Sequence, residues 1–147
     1  MAPRHQFSGR VVLVLDGDTI EELRERTPQR VRLHGVDCPE RGQAFGTVAR
    51  EFTAERAFGR TVTIRMRDTD RYGRTVGEVI LPDGKNLNHE LVRAGLAWWY
   101  QHYAADDIRL ERAESEARQA RRGLWTDPHA TAPWDYRHRE RKPALSP

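Results

Sequence analysis

Arg32-Leu33-His34-Gly35-Val36-Asp37-Cys38-Pro39-Glu40 brings a cation and two carboxylates into one short stretch. Pro39 has no N–H to give a ladder, so Asp37 and Glu40 fall on a turn at the end of a strand. A further carboxylate, Asp18, sits beside the tight turn of Asp16-Gly17-Asp18. Carboxylates next to free backbone carbonyls suit a hard cation such as calcium, which takes oxygen ligands and water in flexible geometry. The spacing is not that of a twelve-residue calcium loop ending in Glu. Zinc would want His or Cys at regular spacing, which His34, His89, His102, His129 and His138 do not supply. Glu40 lies close enough to Asp37 to address a water near such a cation, as a general base would. Arg32 and Arg74 come from different strands and can clamp one phosphate from two sides. Cations placed there stabilise the charge that gathers on phosphoryl oxygens in the transition state.

The elements that must position these groups follow from periodicity. Val11–Leu15 reads as a strand, Asp18–Leu23 as a second, and Arg30–Gly35 as a third after a hairpin loop at Thr27-Pro28. In the third strand Val31 and Leu33 face one way, and Arg32 and His34 the other. From Ala44 to Phe58 the period becomes helical, through Phe45, Val48, Ala49, Phe52 and Arg56, with Gly59 as the stop. Val62, Ile64 and Met66 mark a fourth strand, Asp70-Arg71-Tyr72-Gly73 a turn, and Arg74–Leu81 a fifth strand. A second helix spans Leu87–Ala94 and ends at Gly95. A third is capped by Asp106 or Asp107, with a stripe of Leu110, Ala113, Ala117, Ala120 and Leu124. Five short strands around one helix, followed by two helices, predict an α+β fold: a five-stranded OB-type β-barrel with three helices. The expected organisation is a flexible N-terminus over 1–7, the barrel domain over 8–125, and a Pro/Arg-rich tail over 126–147. That tail reads as extended, with Trp134 and Tyr136 available to pin it.

Composition adds limits. The 147 residues fit one domain. A net charge of +3 is too small to establish nucleic-acid binding by itself. All of the cations except Lys85 and Lys142 are arginines, whose planar fork matches phosphate oxygens. Codon bias accounts for the same skew. Cys38 is the single cysteine, which rules out an intramolecular disulfide. No run is long and apolar enough to span a membrane, and the first residues show no signal-peptide core.

Four motifs stand in order: Leu15-Asp16-Gly17-Asp18-Thr19, Arg32 to Glu40, Asp70-Arg71-Tyr72-Gly73-Arg74, and Asn88 to Ala97. Together they resemble the staphylococcal nuclease (thermonuclease-like) family over about Ser8 to Trp125. The resemblance implies an OB-type barrel with three helices. It implies Asp18 and Asp37 as side-chain ligands of Ca2+, with the backbone carbonyl of Cys38 as another. Glu40 then orients or deprotonates the attacking water, and Arg32 and Arg74 bind the scissile phosphate. Arg71 and Tyr72 fall where a terminal phosphate is contacted, and Tyr103 where a ring packs on a base. The implied reaction is calcium-dependent hydrolysis of DNA and RNA to 3′-phosphate and 5′-hydroxyl ends, by a monomer, in a secreted or cell-envelope setting.

Three departures from the family pattern bear on this. The loop Arg41–Gly46 is shorter than in secreted relatives, which bears on substrate access and on the ordering of Glu40. Gln101 stands where an aromatic is expected, after Trp98, Trp99 and Tyr100. Position 38 is Cys, whose thiol would make the site sensitive to soft metals or oxidation. The alternative reading is a catalytically inactive nucleic-acid- or protein-binding module. A plain single-strand-binding barrel would repel phosphate at Asp37 and Glu40.

Overall fold

The computed structural model describes residues 5–141. Strands β1 (Gln6–Asp16), β2 (Thr19–Arg24), β3 (Thr27–Leu33), β5 (Thr61–Thr69) and β6 (Thr75–Ile80) form a closed barrel in the order β1-β2-β3-β6-β5. All pairings are antiparallel except β3 with β6. The helices are α1 (Gly46–Ala57), α2 (Leu87–Arg93), α3 (Gln101–Ala104), α4 (Ile108–Gln119) and α5 (Pro133–Arg141), with a 3-10 turn at Gly123–Thr126. The expected α+β barrel is therefore present. No helix among the described residues is long and apolar enough to cross a membrane.

Alternation fills the barrel. Val11, Val14, Ile20, Val31, Leu33, Val62, Ile64 and Val79 point inward and are buried, while Arg32 stands on the other face of β3, as its period of two requires. Thr27 and Pro28 are strand, not loop; the chain reverses just before them at Glu25, whose φ is +61°. Pro28 is tolerated because it sits at the start of β3.

α1 departs from the expected stripe. Its buried positions are Gly46, Ala49, Thr53 and Ala57, while Val48 is exposed. Small residues are needed because α1 presses on the β1–β2 turn: a Cβ at Gly17 would lie 2.9 Å from that of Ala49. Thr53 Oγ1 donates a 2.6 Å bond to the Gly17 carbonyl, fixing the turn that carries Asp18. In α4, Asp107 is the cap, its carboxylate accepting from Leu110 N at 3.1 Å. Leu110, Ala113 and Ala117 are buried, but Ala120 is exposed at the helix end.

Two features were not expected. Val36–Asp37 (β4) leaves the barrel and pairs with Trp98–Trp99 (β7). Residues 133–141, expected to be extended, are helical.

Thr53→Val should leave the buried Gly17 carbonyl without its donor. We expect about 1–3 kcal/mol lost in denaturant unfolding, with the same dependence on denaturant concentration.

Candidate active site

The site is made by register. Thr19 of β2 pairs with Arg32 of β3, and Leu33 N donates to the Asp18 carbonyl at 2.8 Å. Asp18 is therefore brought against the end of β3. Gly35 then turns the chain with φ +77°, a left-handed conformation that suits glycine. Asn88, fully buried on α2, locks that turn: its Nδ2 donates to the His34 and Gly77 carbonyls, and its Oδ1 accepts from Val79 N. Tyr100 N also donates to the Gly35 carbonyl. Asp37 follows on β4 and is fully buried. Cys38 N donates to Asp18 Oδ2 at 2.7 Å, drawing the two acidic turns together.

Two arginines hold the acids. Arg32 reaches Asp18 Oδ2 at 3.0 Å and Asp37 Oδ1 at 3.2 Å. Arg137, from α5, forks onto both Asp37 oxygens, at 3.1 and 2.7 Å, and also donates to Glu40 Oε1. Burial pushes the Asp37 carboxyl up, against the pull of Arg137 and Arg32. Against the cost of its own burial, Arg32 is pushed above its ordinary value by Asp18 and Asp37. Arg137 is pushed up by its bond to Asp37, which outweighs burial, and by Glu40. Both Asp37 oxygens are bonded to guanidinium. Burial, then the charges of Asp18 and Glu40, push the neighbouring Asp16 carboxyl up.

The short loop after Glu40 is folded. Gln43 N donates to the Glu40 carbonyl and Gly46 N to that of Gln43. The Gln43 side chain accepts from Glu40 N at 2.9 Å and donates to the Thr131 carbonyl at 2.7 Å. A Cβ at Gly46 would lie 2.2 Å from the Glu40 carbonyl oxygen, so only glycine allows this return.

The remaining predicted residues lie apart from this cluster. Arg74 precedes Val76, the partner of Arg32, by two residues, about 7 Å along a strand. It is tied to Asp70, its Nε donating to Oδ2 at 2.6 Å. Among the described residues no ion pair or hydrogen bond joins it to Asp18, Asp37 or Glu40. Asp70 also accepts from the backbone N–H groups of Tyr72 and Arg74, which shapes the turn. Arg71 lies 5.1 Å over the exposed Tyr72 ring. Tyr103 is exposed, with its ring 4.9 Å from that of Tyr100. His34 has Arg67, Glu78, Asp107 and Asp68 as charged neighbours, not the acidic cluster.

Arg137 was missed by the sequence reading. Its signal was Trp134, one helical turn earlier on the same face, packing edge-on to Trp98 and Tyr100 at 5.4 and 5.0 Å. Beside it, Trp98, Trp99, Tyr100, Arg118 and Trp134 line a cavity of about 530 Å³.

The Cys38 thiol is buried, and burial pushes its pKa well up. Reactive thiols are accessible and easily ionised, so the expected sensitivity to oxidation has no support in this environment.

A closed five-stranded barrel with helices packed on it defines the class, an OB-type α+β domain. The sequence places the chain within one family: a family described as "Staphylococcal nuclease homologue" matches residues 30–127, and this chain belongs to it. An uncharacterized endonuclease of Escherichia coli is 46% identical over 132 residues, covering 90% of this chain and 86% of its own. A micrococcal nuclease of Shigella flexneri is 44% identical over 140 residues, covering 89% and 80%. An uncharacterized endonuclease of Haemophilus influenzae is 34% identical over 139 residues, covering 94% and 77%.

A thiol reagent should leave Cys38 of the folded chain unlabelled for as long as the chain stays folded, and label it at once in denaturant. Rapid stoichiometric labelling of the native chain would contradict the buried environment.

Proposed function

We propose that the chain is a calcium-dependent nuclease that hydrolyses phosphodiester bonds of DNA and RNA, leaving 3′-phosphate and 5′-hydroxyl ends. The observation that carries this reading is the meeting of Asp18, Asp37, Glu40 and Arg32 at one mouth of the barrel, in a chain of this family.

The donors fit a hard cation. They are all oxygens, from the Asp18 and Asp37 side chains and the backbone at Cys38. Among the described residues no three His, Cys, Asp or Glu side chains form a ready metal cluster. Two carboxylates, Asp18 and Asp37, leave an ion to complete its shell with carbonyls and water, which calcium accepts. Asp18 and Asp37 would hold it, with the backbone carbonyl of Cys38. Bound there, it supplies charge neutralisation to a phosphodiester oxygen.

The chain's own residues do the rest. Glu40 orients the attacking water and takes its proton at a carboxylate oxygen. Arg32, already positioned by Asp18 and Asp37, donates to a non-bridging phosphate oxygen. Arg74, one residue before β6, supplies the second phosphate contact, exchanging Asp70 for substrate. Arg71 and Tyr72, on the exposed turn, contact a neighbouring phosphate, and Tyr103 presents a ring to a base.

The test is digestion of single-stranded DNA, duplex DNA and RNA with calcium, with magnesium and with chelator. We expect calcium-dependent cleavage that falls about 10²–10⁴-fold in Glu40→Gln, the usual contribution of a general base, with the fold checked by circular dichroism. Binding without cleavage under every condition would replace this reading with an inactive binding module.

A further inference from the structure

The geometry points to Arg137 as a positioning residue of the active site, which extends the functional unit past the barrel into the C-terminal helix α5. This rests on the nuclease reading above and deepens it.

The Glu40 side chain is about one-third exposed and follows a short loop. Among the described residues its carboxylate has one side-chain partner, Arg137. A long acidic side chain with no partner samples several rotamers. A guanidinium shared between Glu40 and the fully buried Asp37 holds it in one. The fork fixes the guanidinium plane by pairing Nη1 and Nη2 with the two Asp37 oxygens, which aims Nη1 at Glu40 as well. The segment that delivers Arg137 is itself anchored. Ala132 is buried, Trp134 packs on Trp98 and Tyr100, and the Thr131 carbonyl accepts from Gln43, the residue whose side chain also receives Glu40 N. Backbone and side chain of Glu40 are thus both referred to the C-terminal segment. The tail does for this short loop what added loop residues would otherwise have to do.

The test measures kcat, KM and calcium binding by calorimetry for the full chain and for Arg137→Ala, Arg137→Lys and Arg139→Ala. Arg139 lies exposed on the same helix, so its variant controls for charge and helix content. We expect Arg137→Ala to lose about 10²-fold in kcat, the scale of a misplaced catalytic group, with KM changed less than threefold. Calcium binding should be unchanged or tighter, since a cation has been removed from Asp37. Arg137→Lys, with the charge but not the fork, should recover part of the loss, and Arg139→Ala should match the unaltered chain. A kcat for Arg137→Ala equal to or above that of the unaltered chain overturns the inference while leaving the nuclease reading intact. So does a loss of activity matched by lost calcium binding, or an equal loss in Arg139→Ala. Failure of the unaltered chain to cleave overturns both.

Discussion

Asp37 is a carboxylate with no solvent exposure, and that single constraint organises the molecule around it. An ionised carboxylate taken out of water costs several kcal/mol unless it is paired. Here the pairing comes from opposite ends of the chain, Arg32 on the barrel and Arg137 on the last helix. The barrel must deliver Asp37 to the one place where both arginines reach it. That is why the end of β3 is so heavily tied, by Asn88 from α2, by the Asp18 carbonyl from the β1–β2 turn and by Tyr100 N beyond β7. Each tie satisfies a backbone group that would otherwise be orphaned next to a buried charge.

The same arrangement links stability to chemistry. Burial first, and neighbouring acids after it, push the Asp16 and Asp37 carboxyls up. The two guanidiniums offset part of that push in the absence of a metal. A divalent ion on these carboxylates would have to take over bonds that Arg32 and Arg137 now make to Asp18 and Asp37. The loop after Glu40 gains its order from Gln43 and the Thr131 carbonyl rather than from length.

Much of this was legible in the sequence, and the reasons are local. The alternation of Val31 and Leu33 against Arg32 fixed which face the arginine takes, and the five barrel strands each carried enough period to be read. The acidic turns announced themselves through Gly17 and Pro39. What escaped lacked such signals. β4 and β7 are two residues each, too short for any period, so the pairing of Asp37 with Trp98 could not be read. The small-residue face of α1 looks weaker than its Phe and Val positions, and only the close approach of Gly17 explains it. Helix α5 is polar on most sides and begins at Pro133, so its apolar pattern is too sparse to separate a helix from a linker. Arg137 is one arginine among many, and its partners lie 97 and 100 positions away. Arg74, expected to open the fifth strand, lies one residue before β6, and its tie to Asp70 depends on turn geometry that the motif alone does not convey.

The central claim is that the carboxylates gathered by this barrel form a cation site for phosphodiester chemistry. A crystal structure of the full chain at saturating calcium tests it most directly. The account predicts an ion bound by Asp18 and Asp37 carboxylate oxygens at about 2.3–2.6 Å, with water completing the shell. Asp18 and Asp37 still bonded only to Arg32 and Arg137, with calcium absent from both carboxylates, would contradict it.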